Sequence, residues 1–251
     1  DDVAIGAPAA TVSGARAAGE VIVLHGSIEG LLPAPRGVRL TGVAAESGDQ
    51  FGASLATGDF DGDGLADLAV GAPGEGVGGR AVAGAVTVFN GTGSGLGNNG
   101  REITAAPDIV AGNIENGDRL GVALAAGDTN GDDIDDLAVG IPGEDAPDIG
   151  FPVGADAGAV LVLRGRPATG DRPGLRGDGS VELHLESAGV AGVGRSGDQL
   201  GITVAVGDVH GDGFADVVAG AVGKDVGSAG DAGSVLVLRG SANGVRPGGS
   251  R

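Results

Sequence analysis

Cysteine, methionine, tryptophan and tyrosine are absent from this 251-residue chain, and five phenylalanines are its only aromatic residues. Without cysteine there are no disulfides and no zinc–thiolate centres. Without large aromatic side chains, Val, Ala, Leu and Ile must fill the interior through many small, close contacts. Positive charge is also scarce. Lys224 is the single lysine, and 15 Lys and Arg face 34 Asp and Glu, for a formal net charge of −19. A phosphate backbone needs a basic footprint, so a nucleic-acid partner is excluded. The acidity suits divalent cations, although a GC-rich genome accounts for the same bias. No run of about eighteen apolar residues exists, so no membrane-spanning helix is expected. The start at Asp1, with no signal peptide, reads as an N-terminus that is missing or processed.

Glycine is abundant, at 55 residues, and it is periodic. Short apolar runs at Val21–Leu24, Val86–Phe89, Val160–Leu163 and Val235–Leu238 are bounded by glycine and read as strands between turns. Three blocks repeat: GDQFGASLATGDFDGDGLADLAVGAP from Gly48, GDRLGVALAAGDTNGDDIDDLAVGIP from Gly117 and GDQLGITVAVGDVHGDGFADVVAGAV from Gly197. The first aspartates of their acidic loops, Asp59, Asp128 and Asp208, are spaced by 69 and then 80 residues. A period this long, with four short strands per unit, suits propeller blades.

In the first block, strands are expected near Gly52–Thr57, at Leu68–Gly71, at Ala85–Phe89 and around Ile103 or Ile109. The third is apolar at consecutive positions, so both its faces are covered; a sandwich would leave one face wet. Asp1 to Pro8 matches Ala66 to Pro73, and no fourth strand follows Arg239-Gly240. The expected organisation is a partial blade at 1–47 (strands two to four), blades at 48–116 and 117–196, and a partial blade at 197–251 (strands one to three). That is two whole blades between two incomplete ones, in a fragment of a larger ring.

The acidic loops run Asp59-Phe60-Asp61-Gly62-Asp63-Gly64-Leu65-Ala66-Asp67, Asp128-Thr129-Asn130-Gly131-Asp132-Asp133-Ile134-Asp135-Asp136 and Asp208-Val209-His210-Gly211-Asp212-Gly213-Phe214-Ala215-Asp216. Side-chain oxygens at positions 1, 3, 5 and 9, with the carbonyl at 7, can converge on one hard cation of the calcium type. Without a cation the carboxylates repel. An EF-hand is excluded, because position 12 is Val70, Val139 or Ala219 inside a strand rather than a bidentate Glu.

Gly-Asp-x-Phe/Leu-Gly, the acidic loop, then Asp-Leu-Ala-Val-Gly-Ala-Pro resembles the FG-GAP repeat of integrin α-subunit propellers and of many secreted bacterial proteins. The resemblance covers nearly the whole chain and implies an all-β propeller fragment of four-stranded FG-GAP blades, from a seven-bladed ring. It implies Ca²⁺ at three sites: Asp59, Asp61, Asp63, the Leu65 carbonyl and Asp67; Asp128, Asn130, Asp132, the Ile134 carbonyl and Asp136; and Asp208, His210, Asp212, the Phe214 carbonyl and Asp216. The signature softens at Leu120 and Leu200, and Val222 replaces the proline. His210 stands where the family carries Asp or Asn. Imidazole is a poor calcium ligand, so the third site is expected to be the weakest, with His210 swung out and water in its place, or to take Mn²⁺ or Zn²⁺. Half of a fourth site is left at Asp2.

No catalytic constellation is evident, so the chain is read as not an enzyme. His25 and His184, the latter with Glu182 and Glu186, read as surface strand residues. The glycine-rich Gly91–Gly97 and Gly223-Lys224 read as turns rather than phosphate loops, and Arg176-Gly177-Asp178 reads as a chance tripeptide. The calcium loops share one face with the three-to-four loops. The two-to-three and four-to-one loops vary, as Gly74–Gly84 differs from Gly143–Gly158, and an unknown protein or glycan ligand is expected on their face. The resulting expectation is an extracellular or cell-surface, calcium-stabilised module for adhesion or protein interaction. The alternative is a non-catalytic propeller domain of a larger secreted hydrolase or carbohydrate-binding protein.

Overall fold

The computed structural model describes residues 2–28, 30–31, 37–97, 100–103, 115–145, 155–168, 174–185, 187 and 194–246, and among these every regular element is a strand. Ile109 and Glu186 lie outside the described residues.

Four antiparallel sheets follow one another along the chain. The first contains β1 (Val3–Ala7), β2 (Glu20–Leu24) and β5 (Val38–Leu40), with a small hairpin of β3 (Gly26–Ser27) and β4 (Gly30–Leu31) beside it. The second runs β6 (Ser54–Gly58), β7 (Asp67–Ala72), β8 (Ala85–Phe89), β9 (Arg101–Ile103), and the third β10 (Leu124–Gly127), β11 (Asp136–Ile141), β12 (Ala159–Arg164), β13 (Arg176–Leu183). The last holds β14 (Leu200–Gly207), β15 (Asp216–Ala221) and β16 (Ser234–Leu238). Each strand pairs with its sequence neighbour in the sheet, the up-and-down order of propeller blades.

Every residue of β7, β8 and β11 is buried. The reason is that the sheets stack face on face, leaving three apolar cores between four sheets. Phe51, Val21, Val23, Leu68, Val70 and Phe89 pack between the first and second sheets, with the Phe51 and Phe89 rings edge to face at 6.3 Å. Phe60, Val86, Val88, Leu120, Leu137 and Leu161 fill the next interface, and Val160, Val162, Leu200, Val217 and Leu238 the last.

The glycines of the signature set how closely the sheets approach. A Cβ on Gly71 would lie 2.1 Å from the carbonyl oxygen of Gly121, and one on Gly140 would lie 1.9 Å from that of Gly201. The glycine of one Gly-Ala/Ile-Pro segment therefore rests on the glycine of the next block's Phe/Leu-Gly pair, a contact no side chain fits. The residue before that second glycine is buried in all three blocks, at Phe51, Leu120 and Leu200. Leucine keeps the apolar contact, so the softened signature preserves the packing.

Candidate metal centres

Each acidic loop joins the first strand of a sheet to the second. Its opening aspartate folds the loop around itself. Asp59 Oδ1 accepts from the N–H groups of Gly62 (2.7 Å) and Asp63 (3.1 Å), and its Oδ2 from Gly64 (2.8 Å). Asp128 and Asp208 do the same in their loops. Position 6 turns through a positive φ in all three, at Gly64, Asp133 (63°) and Gly213; aspartate tolerates that conformation better than most residues.

The closing aspartate does something the spacing alone did not reveal. Asp67 is 1% exposed; its Oδ2 accepts from Phe60 N (3.0 Å) and its Oδ1 from Gly91 N (2.7 Å), at the end of β8. Asp136 likewise links Thr129 to Gly165, and Asp216 links Val209 to Gly240. Asp2 accepts from Gly26 N (2.8 Å) and pairs with His25 Nδ1 (3.0 Å), which places it in the same role. The ninth position is thus a staple between loop and third strand, buried at Asp67, Asp136 and Asp216, as well as a candidate ligand.

In loop one, Asp59, Asp61 and Asp67 bring three carboxylate oxygens within 4.8 Å of one another. Burial pushes the Asp67 carboxyl up to about 6 against its backbone hydrogen bonds, and burial with the neighbouring Asp63 charge raises Asp61. These are the strains a hard cation relieves, and oxygen donors at this spacing fit one. Asp63 is held at the rim by Leu65 N (2.8 Å).

Loop two places Asn130 Nδ2 3.2 Å from Asp136 Oδ2, beside a hydrogen bond from Thr129 Oγ1 to the same oxygen. Turning the amide over presents Oδ1 instead. Asp132 Oδ1 accepts from Ile134 N.

Loop three differs. His210 does not swing out: its Nδ1 lies 2.7 Å from Asp216 Oδ2, so the imidazole occupies the closing carboxylate that a cation would need. The expectation of an outward His210 with water in its place is corrected by this contact, in which a ring nitrogen meets an oxygen of the fully buried Asp216 carboxylate.

Successive loops are also stitched together. Asp135 N donates to Asp59 O (2.9 Å) and Ala215 N to Asp128 O (2.9 Å). The position-7 side chains Ile134 and Phe214 lie over the glycines Gly62 and Gly131 of the preceding loop. Neither contact was visible in the motif, because each joins residues about seventy or more apart.

A second carboxylate group escaped the sequence reading. Glu144 is pushed up to about 8 by burial, and the charges of Glu182 and Asp118 raise it further. Asp118 Oδ1 and Glu182 Oε2 are buried without a hydrogen-bond partner. His184 and Glu182 are paired at 3.0 Å with side chains 13% and 9% exposed, which corrects their reading as surface residues; the sheet's outer strand is covered more fully than its alternation indicates. In the last block Lys224 stands in place of Glu144 and binds Asp198 at 2.8 Å. The signal was the aspartate of each Gly-Asp-x-x-Gly segment, at Asp49, Asp118 and Asp198, all buried.

The family model for the FG-GAP repeat matches residues 51–89 and 120–163, the two blocks whose loops and glycine contacts are described above. The chain carries integrin-α-like FG-GAP repeats. It is 34% identical over 176 residues to integrin alpha-PS2 of Drosophila melanogaster, a match covering 68% of this chain and 10% of that one. It is 32% identical over 211 residues to integrin alpha pat-2 of Caenorhabditis briggsae, covering 79% and 14%. It is 32% identical over 143 residues to phosphatidylinositol-glycan-specific phospholipase D of Mus musculus, covering 56% and 16%. The chain therefore spans less than a fifth of each of these relatives. Among the described residues no helix is long and apolar enough to cross a membrane.

Proposed function

We propose that this FG-GAP chain is a calcium-stabilised extracellular interaction module, in which Ca²⁺ binds all three acidic loops and most weakly at His210. The supporting observation is the group Asp59, Asp61 and Asp67, whose oxygens already lie within 4.8 Å of one another. Ca²⁺ would be held there by Asp59, Asp61, Asp63, the Leu65 carbonyl and Asp67, and in the other loops by the matching residues. The ion serves the fold: it neutralises carboxylates that the loop holds close and so fixes the first strand to the second. Recognition of a protein or glycan falls to the opposite face, at the Gly74–Gly84 and Gly143–Gly158 loops, and the module has no catalytic role of its own. Similarity to integrin α chains supports adhesion and an extracellular or cell-surface location. Similarity to the phospholipase supports a second reading, a non-catalytic propeller of a larger secreted hydrolase.

Calorimetric titration of chelator-treated protein with Ca²⁺ is expected to show two tighter sites and one weaker, with a rise in Tm on saturation. No heat and no shift in Tm would refute the calcium assignment. Grafting neutral loops in place of 74–84 tests the recognition face, where binding to a cell surface or partner should be lost while the calcium isotherm is unchanged.

A further inference from the structure

The blocks that begin at Gly117 and Gly197 build the same backbone corner and fill it with different charge. Gly143 N donates to Asp118 O (3.1 Å) and Gly223 N to Asp198 O (3.2 Å), and the turn closes on the carbonyls of Glu144 and Lys224, which accept from Gly158 N and Gly233 N at 2.9 Å. Asp118 Oδ2 accepts from Glu115 N, as Asp198 Oδ2 does from Arg195 N. In the last block two cations meet two aspartates, with Arg195 on Asp225 at 3.2 Å and Lys224 on Asp198 at 2.8 Å. In the block before it Glu115, Glu144 and Asp145 stand at the places of Arg195, Lys224 and Asp225. The same frame there carries four carboxylates.

Glu182 of β13 adds a fifth. His184 Nε2 holds its Oε1 at 3.0 Å, whereas Oε2 is buried without a hydrogen-bond partner on a side chain 9% exposed. Asp118 Oδ1 is likewise buried and unpartnered, in a residue 2% exposed. Burial pushes Asp118 up to about 6 and Glu144 up to about 8, and the charges acting most strongly on both are carboxylates that raise them further. Among the described residues no ion pair brings Lys or Arg to Asp118, Glu144 or Glu182. Segments 104–114, 146–154 and 186–193 contain no Lys or Arg. Buried carboxylate oxygens without a donor are costly, and two of them in one corner call for a positive partner.

We propose that the corner of Asp118, Glu144 and Glu182 is a cation site separate from the acidic loops, taking one divalent ion of the Mg²⁺ type where the last block uses Lys224 and Arg195. Among the described residues the group whose ligand oxygens already lie within 4.8 Å of one another is in loop one. The ion in this corner therefore keeps water in its shell and meets the carboxylates singly, which suits Mg²⁺ better than the larger oxygen cage of Ca²⁺. Glu144 follows β11 and Asp136 opens it, so the corner and the second acidic loop lie at opposite ends of that strand. The site does not rest on calcium in the loops.

The test uses the whole chain saturated with Ca²⁺ and titrated with Mg²⁺ at constant ionic strength, followed by calorimetry and by the Tm. One saturable Mg²⁺ site and a rise in Tm are expected. Asp118→Asn is expected to weaken the site about ten-fold or more with unchanged circular dichroism. Glu144→Lys, which installs the lysine of the last block, is expected to lose the site and to reach without Mg²⁺ the Tm that the wild type reaches with it. The Ca²⁺ isotherm of each variant, measured separately, is expected to match the wild type, so this site and the calcium reading can fail independently. Should either variant fail to fold, the wild-type Mg²⁺ isotherm in saturating Ca²⁺ decides alone. Absence of saturable Mg²⁺ binding to the wild type, or full Mg²⁺ affinity in a folded variant, overturns the proposal.

Discussion

The second sheet, with loop one, and the last sheet, with loop three, start from nearly the same sequence and end in different environments. In loop one the position-2 residue Phe60 is 1% exposed and belongs to an inter-sheet core; in loop three Val209 at the same position is 62% exposed. Loop one carries Asp135 and Ile134 of the following block on its back. Among the described residues nothing docks on loop three in that way. The closing aspartates have nearly identical backbone partners, yet Asp67 is pushed up to about 6 by burial. Asp216 lies below the usual carboxylate range, because its hydrogen bonds to His210 and to backbone N–H groups outweigh the effect of burial. A repeat therefore specifies the local turn, while burial under the adjacent sheet and the residue at the third loop position together set the electrostatic state of the same carboxyl group.

The largest separation between the two regions should come from the staples. Asp67→Ala leaves the N–H groups of Phe60 and Gly91 without their acceptor and is expected to cost about 4 kcal/mol in chelator, measured by urea unfolding. A loss under about 1 kcal/mol would mean that Asp67 is a ligand and little else.

Next comes the glycine contact. Gly71→Ala drives a Cβ against the backbone of Gly121 and is expected to cost about 3 kcal/mol. Gly220→Ala meets mainly the movable hydroxyl of Thr203 and should cost less than about 1 kcal/mol. Equal costs would dissolve the distinction between an interface and an end sheet.

Smaller again is the metal preference. His210→Asp is expected to tighten the weakest calcium site about ten-fold, about 1.4 kcal/mol, by calorimetry. An unchanged third isotherm would show that His210 is not what weakens it.

The smallest effect is on pH. A raised carboxyl such as Asp67 contributes stability below its unfolded value of 3.8 that is lost as pH rises toward 6. A lowered one such as Asp216 contributes stability above 3.8 that is lost as pH falls through its folded value. In chelator, Asp67→Asn should therefore flatten the unfolding free energy between pH 4 and 6, and His210→Asn, which removes a cause of the lowered Asp216 carboxyl, should flatten the loss below pH 4.

The strands, the acidic loops and the sheet order were legible because they depend on local period and on residue types at short spacing. Leu68–Gly71 and Ala85–Phe89 were recognisable as strands from glycine-bounded apolar runs alone, and the structure places β7 and β8 there. The roles of Asp67, Asp118 and His210 were not legible in full, because their partners come from a third strand, from an adjacent loop, or from the way one buried carboxylate recruits a nearby ring.

What this sequence determines by itself is the repeat: where each loop turns, which positions carry oxygen donors, and which glycines must stay bare. Only the tertiary structure decided which carboxylates are buried and which blade covers which loop. Hydrogen-bond turns are made within a few residues, whereas burial and charge proximity are properties of sheets packed together.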